Sequence, residues 1–471
     1  MTKPTLETLP KELLIQILQR LPDLEHVQKL ILSSSSCYEA YRISQYSILH
    51  THVEKLFSSP YNLREALLVI RSRELSFCSH KEEALALLDA WRRREEIKQL
   101  TLRSAAEKFA LEQPVNLEET IDLIHLHKQL RFFLDDYPTA ISQPPWLERQ
   151  QWEIDIRPHI QMSPVEQVRF LRALCRLYIL KNLFGPIDRD SETSLDEELK
   201  LGFGPDHSVY SEGFHTFMDA YRCFYGIFPH WEHQEMGCVN RYLRDRLDPI
   251  YESIYNDFDK IVESGVDETL AENVGQNEIQ IPLSARSFLL NGCFSRNASS
   301  SVSPWRLFEQ RRQLTSFMIS WGPDLAYELI KAPRERRWAL VWNRLPIGSH
   351  PNYPAPHELF PGREIPVITP VEKIPHIYPA DQHERRSDFR QFWSTLPATE
   401  QPSAGWKALC LGQEDLGLSY EWAMLSIDLN QVERDNWGWG YALWDEQRLK
   451  EWEFPRLEAQ NQPAQLLLMA P

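Results

Sequence analysis

Residues 6–53 read LETLPKELLIQILQRLPDLEHVQKLILSSSSCYEAYRISQYSILHTHV, and this stretch decides the architecture expected at the N-terminus. Its first apolar residues recur at helical spacing and predict an amphipathic helix: Leu13, Leu14, Ile17, Leu18 and Leu21. Pro10 suits the first position of that helix, because proline there lacks only an N–H group that would have no partner. Asp23 follows a break at Pro22 and is expected to cap a second helix.

A third helix is predicted from about Tyr38 to Leu56, after the serine run at residues 33–36. Three short helices in about 50 residues bury too little surface to be comfortably stable alone. The first helix also carries more leucine than so small a core can cover. Part of its apolar stripe is therefore expected to face another body, which is either the rest of this chain or a partner protein.

The segment LPKELLIQILQRLPDL resembles the start of an F-box, with a Leu-Pro pair, a Glu two residues later, and Leu or Ile at helical spacing. The continuation ILSSSSCYEAY is similar to a variant found in fungal F-box-domain proteins. The resemblance implies a module that docks on the Skp-type adaptor of a Skp–cullin–F-box ubiquitin ligase, and through it on a cullin. It assigns the docking to Leu9, Pro10, Leu13, Ile17 and Leu21. Tyr38 and Tyr41 stand where the best-known F-boxes carry a basic residue and a tryptophan.

Composition indicates a folded protein with a substantial core. The chain has 471 residues, enough for two or three domains, and is 42% hydrophobic and 25% charged. The net charge of −16 argues against a nucleic acid or an anionic membrane surface as the main partner. No apolar run approaches the roughly 18 residues of a membrane span. The first residues also lack the apolar segment of a signal peptide.

The cysteine and histidine patterns predict neither a disulfide framework nor a metal site. The 7 cysteines are scattered and form no C-x-x-C pair, so we expect an intracellular, reducing compartment, the cytoplasm or the nucleus. His230, His233 and Cys238 have ligand-like spacing but match no zinc signature, and a structural role is favoured. His125 and His127 lie two apart on a predicted helix and so point to different sides.

A long helix is predicted to lie at the centre of the molecule. The segment SPVEQVRFLRALCRLYILKNLFG (residues 163–185) opens with a capping box and is apolar over most of its circumference. It also looks like the central helix of the fungal F-box-like group. Arg169, Arg172 and Arg176 form a basic stripe on this helix. The stripe is either an anion or phosphodegron site or, as favoured, it pairs internally with carboxylates of this chain.

We expect a mainly α fold in three parts. Residues 1–56 form the F-box-like module, residues 57–265 a helical domain, and residues 266–471 a helical and irregular region. A proline-rich connector is expected at residues 346–380. Residues 435–445 hold three tryptophans. These indoles either stack on a sugar or peptide or, as favoured, are buried with each N–H finding one acceptor.

No catalytic motif is present, so the chain is not expected to be an enzyme or to need a cofactor. It lacks a G-x-S-x-G elbow, a Walker loop, an H-E-x-x-H motif and a kinase signature. The first hypothesis is a substrate receptor that docks the ligase adaptor and holds an unknown protein target. The second is an interaction or scaffold protein whose F-box-like helices pack internally. The third is an unrecognised enzyme with a pocket between the two large regions.

Overall fold

A computed structural model describes residues 6–77, 80–91, 111–184, 224, 230–263, 321–342, 394, 396–410 and 436–455. These residues are mainly helical and none of them lies in a β-strand, which confirms the predicted mainly α fold. The predicted proline-rich connector at residues 346–380 lies outside the described residues, as does most of the predicted irregular region around it.

The described residues form α-helices from the N-terminal part to the C-terminal part of the chain. In order they are α1 (Lys11–Arg20), α2 (Leu24–Ser33), α3 (Ser35–Leu56), α4 (Leu63–Ser72), α5 (Lys81–Trp91), α6 (Leu117–Ala140), α7 (Pro164–Phe184), α8 (His230–Glu263), α9 (Pro323–Lys331), α10 (Arg334–Trp342), α11 (Ala404–Cys410) and α12 (Glu446–Glu451). Short 3₁₀ turns lie at Leu6–Thr8 and Arg157–His159, and a π-helical turn lies at Gln151–Ile156.

Side-chain caps start several of these helices, and Asp23 is the cap that the sequence predicts for α2. Asp23 accepts a hydrogen bond from the His26 N–H at 2.9 Å and so caps α2. Asn116 accepts one from the Glu119 N–H at 2.8 Å and caps α6. Glu119 in turn accepts from the N–H of Val115, one residue before the position expected for a capping box.

Two helices start at a different residue from the one predicted, and in each case a local hydrogen bond accounts for the difference. Pro10 precedes α1 instead of occupying its first position, and its carbonyl accepts the first helical hydrogen bond, from Leu14 N–H at 3.2 Å. Helix α3 begins at Ser35, earlier than expected, because the Ser34 hydroxyl accepts from the Cys37 N–H at 3.2 Å. The serine run is therefore divided between two helices: Ser33 ends α2, Ser34 caps α3, and Ser35 and Ser36 begin α3.

Helix α7 lies at the centre of the body, as predicted. It packs against α4, α6, α8 and α9, and most of its side chains are buried. Its capping box is complete: the Ser163 N–H donates to Glu166 at 2.8 Å, and the Glu166 N–H donates back to the Ser163 hydroxyl at 3.2 Å. The second carboxylate oxygen of Glu166 is used elsewhere, where it accepts from Arg448 at 2.9 Å. This hydrogen bond connects the start of α7 to α12, which is far away in the sequence.

The arginine stripe of α7 is paired with carboxylates of this chain, which confirms the favoured interpretation. Arg169, Arg172 and Arg176 are each only 4% exposed. Arg169 lies 2.7 Å from Asp445, Arg172 lies 2.6 Å from Glu235, and Arg176 lies 2.7 Å from Glu232. Burial alone lowers the pKa of Arg172, but the carboxylates of Glu235 and Glu232 outweigh it and hold that pKa above its usual range.

The tryptophans near the C-terminus are buried, which confirms the second favoured interpretation. Trp437, Trp439 and Trp444 have little exposure, and each indole N–H has one acceptor. The acceptor of the Trp437 N–H is the side chain of Gln234, 2.6 Å away on α8. Gly440 adopts φ 76°, and a Cβ there would overlap the Tyr137 hydroxyl, so glycine is required at this position.

The body has one large hydrophobic cluster, and described residues on both sides of the predicted boundary at 265 contribute to it. Helices α4 to α8 supply most of this cluster. Trp321, Leu329, Trp406 and Trp444 from later in the chain belong to the same cluster. The segments after residue 320 that the structure describes therefore complete the core of the earlier helices.

The paired arginines make the body sensitive to removal of one carboxylate. Glu235 is fully buried and accepts two hydrogen bonds from one nitrogen of Arg172 and one from another. Glu235→Ala leaves a buried guanidinium without its main partner and is expected to lower the free energy of unfolding by about 3–5 kcal/mol. Glu25→Ala, which breaks an exposed pair with Lys29, should change it by less than about 1 kcal/mol. Urea denaturation measures both, and equal effects would contradict the prediction.

Histidine 127 is expected to make the fold sensitive to acid. His127 packs against the rings of Phe57 and Tyr61, and this burial lowers its pKa to about 4. An unfolded histidine has a pKa of about 6.5, so stability is present above that pH and is lost as the pH falls from about 6.5 toward the folded pKa. His127→Phe keeps the ring packing and should reduce the drop in Tm between about pH 7 and about pH 5. His125→Gln, at an exposed position of the same helix, should leave the drop unchanged.

Candidate functional site

The first three helices form a module (residues 6–56) with a small core of its own. The fully buried members of that core are Leu14, Leu18, Val27, Cys37, Ala40 and Ile48. Helix α3 packs against both α1 and α2. The 3₁₀ turn before α1 is tied to the start of α3, because Glu7 accepts hydrogen bonds from Ser34 at 2.7 Å and Ser36 at 2.6 Å.

Helix α1 divides its leucines between this core and the surface. Leu14 is 1% exposed and Leu18 is fully buried, whereas Leu13 is 44% exposed. Ile17 and Leu21 are half-buried and pack against the edge of the core. The apolar stripe is therefore wider than the core that it covers, as its leucine content predicts.

The residues predicted for docking lie on the outer side of this stripe. We call Leu9, Pro10, Leu13, Ile17 and Leu21 the outer face. Leu13 and Ile17 lie along one side of α1, with Pro10 just before the helix and Leu21 just after it. Pro10 and Leu13 are exposed, and Leu9 is half-buried. None of the five is sealed from water.

Exposed apolar side chains are concentrated on the module. The large hydrophobic side chains that are exposed among the described residues are Leu6, Leu13, Leu32, Tyr38, Ile43, Tyr46, Val115 and Ile154. All of them except Val115 and Ile154 lie between residues 6 and 56. A group of this kind on a small surface is typical of a protein–protein contact, whereas single exposed apolar residues are normal.

Of the exposed large hydrophobic residues that the structure describes on the module, Leu13 alone was predicted to dock; the others are Leu6, Leu32, Tyr38, Ile43 and Tyr46. Leu32 is 77% exposed and Tyr38 is 53% exposed. Leu32 follows the stripe residue Ile31 on α2, so its helical phase was the available signal. Tyr38 was noted only as a departure from the F-box pattern, and its exposure depends on how α3 packs.

The charges beside the outer face are of both signs and are largely paired with each other. Lys11 lies 2.9 Å from Glu39, and Lys29 lies 2.6 Å from Glu25. All four side chains are exposed, so these pairs contribute little to stability. Recognition at this surface would therefore depend mainly on apolar contact and shape.

The module is connected to the body through α3. Leu49, Val53 and Phe57, at the end of this helix and just after it, belong to the large cluster of the body. Tyr41 packs against both clusters, and the Tyr46 hydroxyl donates to the Pro114 carbonyl at 2.7 Å. Helix α1, which carries the outer face, packs on α3 and so on a helix that is rooted in the body.

His233 and Cys238, which have ligand-like spacing in the sequence, are buried in the body. No group of three or more His, Cys, Asp or Glu side chains in the described ranges is arranged to hold a metal ion. None of the described helices has both the length and the apolar character needed to cross a membrane.

A pocket in the body is lined by polar groups that already have partners within the protein or are poorly reactive. It lies between α4, α6 and α7 and is lined in part by Tyr61, Glu65, Arg172 and Cys175. Arg172 directs its N–H groups at Glu235 and at the Thr399 carbonyl, so its donors are already used within the protein. Burial raises the pKa of the Cys175 thiol, which makes it a poor nucleophile.

Comparisons with known proteins add no assignment. No protein-family model matches the chain, and searches of curated proteins and of solved structures found no match either. Function is therefore inferred from the residues and geometry described above.

The neighbouring residues Leu13 and Leu14 provide a test of the two sides of α1. Leu14→Ala removes a buried side chain and is expected to lower the free energy of unfolding of the module by about 2–5 kcal/mol. Leu13→Ala removes an exposed one and should cost less than about 1 kcal/mol. Hydrogen exchange of the α1 amides measures both changes. A larger cost for Leu13→Ala would show that the outer face is part of the core.

Proposed function

We propose that this chain is a substrate-receptor subunit of a Skp–cullin–F-box ubiquitin ligase. Residues 6–56 would dock on the Skp-type adaptor, which binds the cullin, and the helical body would hold an unknown protein target. The observation that carries the proposal is the exposed apolar surface of the module, which includes Leu13 and lies outside the module's own core. The resemblance of residues 9–24 to the start of an F-box supports the same proposal.

The outer face has the geometry of a helix that fits a groove on another protein. Such helices place apolar anchors three or four residues apart, as at Leu13, Ile17 and Leu21. Covering a fully exposed leucine or isoleucine contributes about 1.5–3 kcal/mol, and these side chains are partly covered already. Several of them are therefore needed together, and the module exposes further apolar residues, among them Leu32 and Tyr38.

Tyr38 is one of the two residues at which the third helix departs from the F-box pattern. The family carries a basic residue and a tryptophan in the third helix, where this chain has Tyr38 and Tyr41. Tyr38 is exposed, whereas Tyr41 is half-buried and accepts a hydrogen bond from Gln45 at 3.0 Å. A tyrosine offers an apolar ring and a polar tip, as tryptophan does. We propose that Tyr38 takes the role of the missing tryptophan at the adaptor surface.

The proposed role requires no chemistry from this chain. A receptor brings its target close to a conjugating enzyme, and that proximity replaces a catalytic group of its own. The ligase acts in the cytoplasm and the nucleus, where we expect the chain to be found. The alternative is a scaffold protein whose module packs internally, and the core around Leu14 and Leu18 is the feature that favours it.

Binding of a purified Skp-type adaptor tests the proposal. Leu13→Asp combined with Ile17→Asp places two charges in the outer face and is expected to weaken binding by at least about 100-fold, since a charge in an apolar contact costs several kcal/mol. Ile154→Asp changes an exposed apolar residue of the body that is 60% exposed, and should leave binding unchanged. Calorimetry measures the affinity, and thermal melting shows whether each variant is folded.

The outcomes separate the two candidate functions. Failure of the folded wild-type protein to bind any Skp-type adaptor would overturn the receptor proposal and leave the scaffold. Loss of folding in the Leu13→Asp, Ile17→Asp variant would place the outer face in the core. Deleting residues 1–55 is a poorer test, because it removes Leu49 and Val53 from the core of the body.

A further inference from the structure

Helix α3 is interrupted at Ser44, within the module, whose core includes Ile48 beyond the break. Ser44 has φ −125° and ψ 29°, which lie outside the helical range. Cys37 and Ala40 before it are buried in the module core, and Val53 after it is buried in the core of the body. The break sets the angle between the two halves of α3, and a change in that angle would move the start of the module relative to the body.

Helix α1 lies alongside α3 and contacts it on both sides of this break. Before the break, Lys11 pairs with Glu39 at 2.9 Å. After the break, the Gln19 side chain donates to the Ser47 hydroxyl at 2.9 Å. The residue numbers rise together along the two helices, so α1 and α3 run in the same direction. Helix α1 therefore spans the interruption of α3.

The C-terminal end of α1 is held by side chains of α3. Helix α1 ends at Arg20 without a glycine cap, and Leu21 is extended with φ −56° and ψ 150°. Lys55 donates to the carbonyls of Gln19 at 2.6 Å and Leu21 at 3.1 Å. A cation is favoured at this end of a helix, where the last carbonyls have no partner within the helix.

His52 makes a second contact to the same end. Its Nε2 lies 2.9 Å from the Leu18 carbonyl, and His52 is 1% exposed. A carbonyl only accepts hydrogen bonds, so Nε2 carries a proton and donates. Burial lowers the pKa of His52, which favours the neutral ring. Both His52 and Lys55 lie after the break in α3, on the half that is rooted in the body.

We propose that His52 and Lys55 are positioning residues that hold α1 at one angle to the body, with α1 acting as a splint across the break at Ser44. The outer face lies on α1, so this contact sets the orientation in which the face is presented. That consequence rests on the proposed docking function, whereas the splint itself does not. Lys55 is the residue to vary, because it is exposed and its removal leaves both cores intact.

The distance between the module and the body tests the splint. Nitroxide labels are attached to a ketone-bearing unnatural residue at Gln28 on α2 and at Thr139 on α6, both exposed, so the native cysteines stay unmodified. Pulsed electron resonance on the full chain should give one narrow distance distribution. In Lys55→Met the population at displaced distances is expected to rise on the order of tenfold, the effect of losing hydrogen bonds from a charged donor.

Matched variants distinguish the loss of positioning from a general destabilisation of the fold. Lys55→Arg keeps a cation and donors and should restore the narrow distribution. Lys29→Met removes an exposed lysine from α2 and should leave it unchanged. Lys55→Gln keeps a shorter donor and should give an intermediate population, which preserves the comparison if Lys55→Met folds poorly. An unchanged distribution in both Lys55→Met and Lys55→Gln would overturn the proposal.

Adaptor binding, measured on the same proteins, keeps the two proposals apart. Lys55→Met leaves the outer face intact and should bind the adaptor within about threefold of wild type, a difference below 1 kcal/mol. Broadened distances with retained binding support the splint. A wild-type protein that does not bind the adaptor, but whose distances broaden in Lys55→Met, overturns the proposed function and leaves the splint standing.

Discussion

The buried arginine–carboxylate row on α7 is the constraint on which the body depends. Arg169, Arg172 and Arg176 lie in the centre of the molecule, where a charge without a partner costs several kcal/mol. Their partners come from α4, from α8 and from the segment before α12. These distant parts of the chain must therefore meet on one helix before its arginines can be buried.

This arrangement has a consequence for the N-terminal module. The end of α3 packs into the body that α7 organises, so the module is anchored at one side and open at the other. Its own core has room for Leu14 and Leu18 but not for the whole apolar stripe. Leu13 is left at the surface, and Ile17 and Leu21 are only half-buried at the edge of the module core. The proposed docking function uses what the fold leaves exposed.

Local features of the fold could be predicted because their physics is local. Asp23 and Ser163 cap helices through hydrogen bonds from residues three positions ahead, which the sequence displays directly. The errors were local as well: Pro10 lies just before α1 instead of at its first position, and the cap at Ser34 makes α3 begin earlier than predicted. The pairing of the α7 arginines with carboxylates was also predictable, because arginines on a buried apolar helix need acidic partners.

The sequence by itself determined the helical class, the capping residues, the central helix and the excess of apolar residues near the N-terminus. Only the tertiary structure decided which leucine of the pair Leu13 and Leu14 faces outward, since the two have the same hydropathy and differ only in direction. It also chose the partners of the arginines, such as Asp445 for Arg169. Such choices depend on which helix faces meet, and spacing along the chain does not encode the distance between residues far apart in sequence.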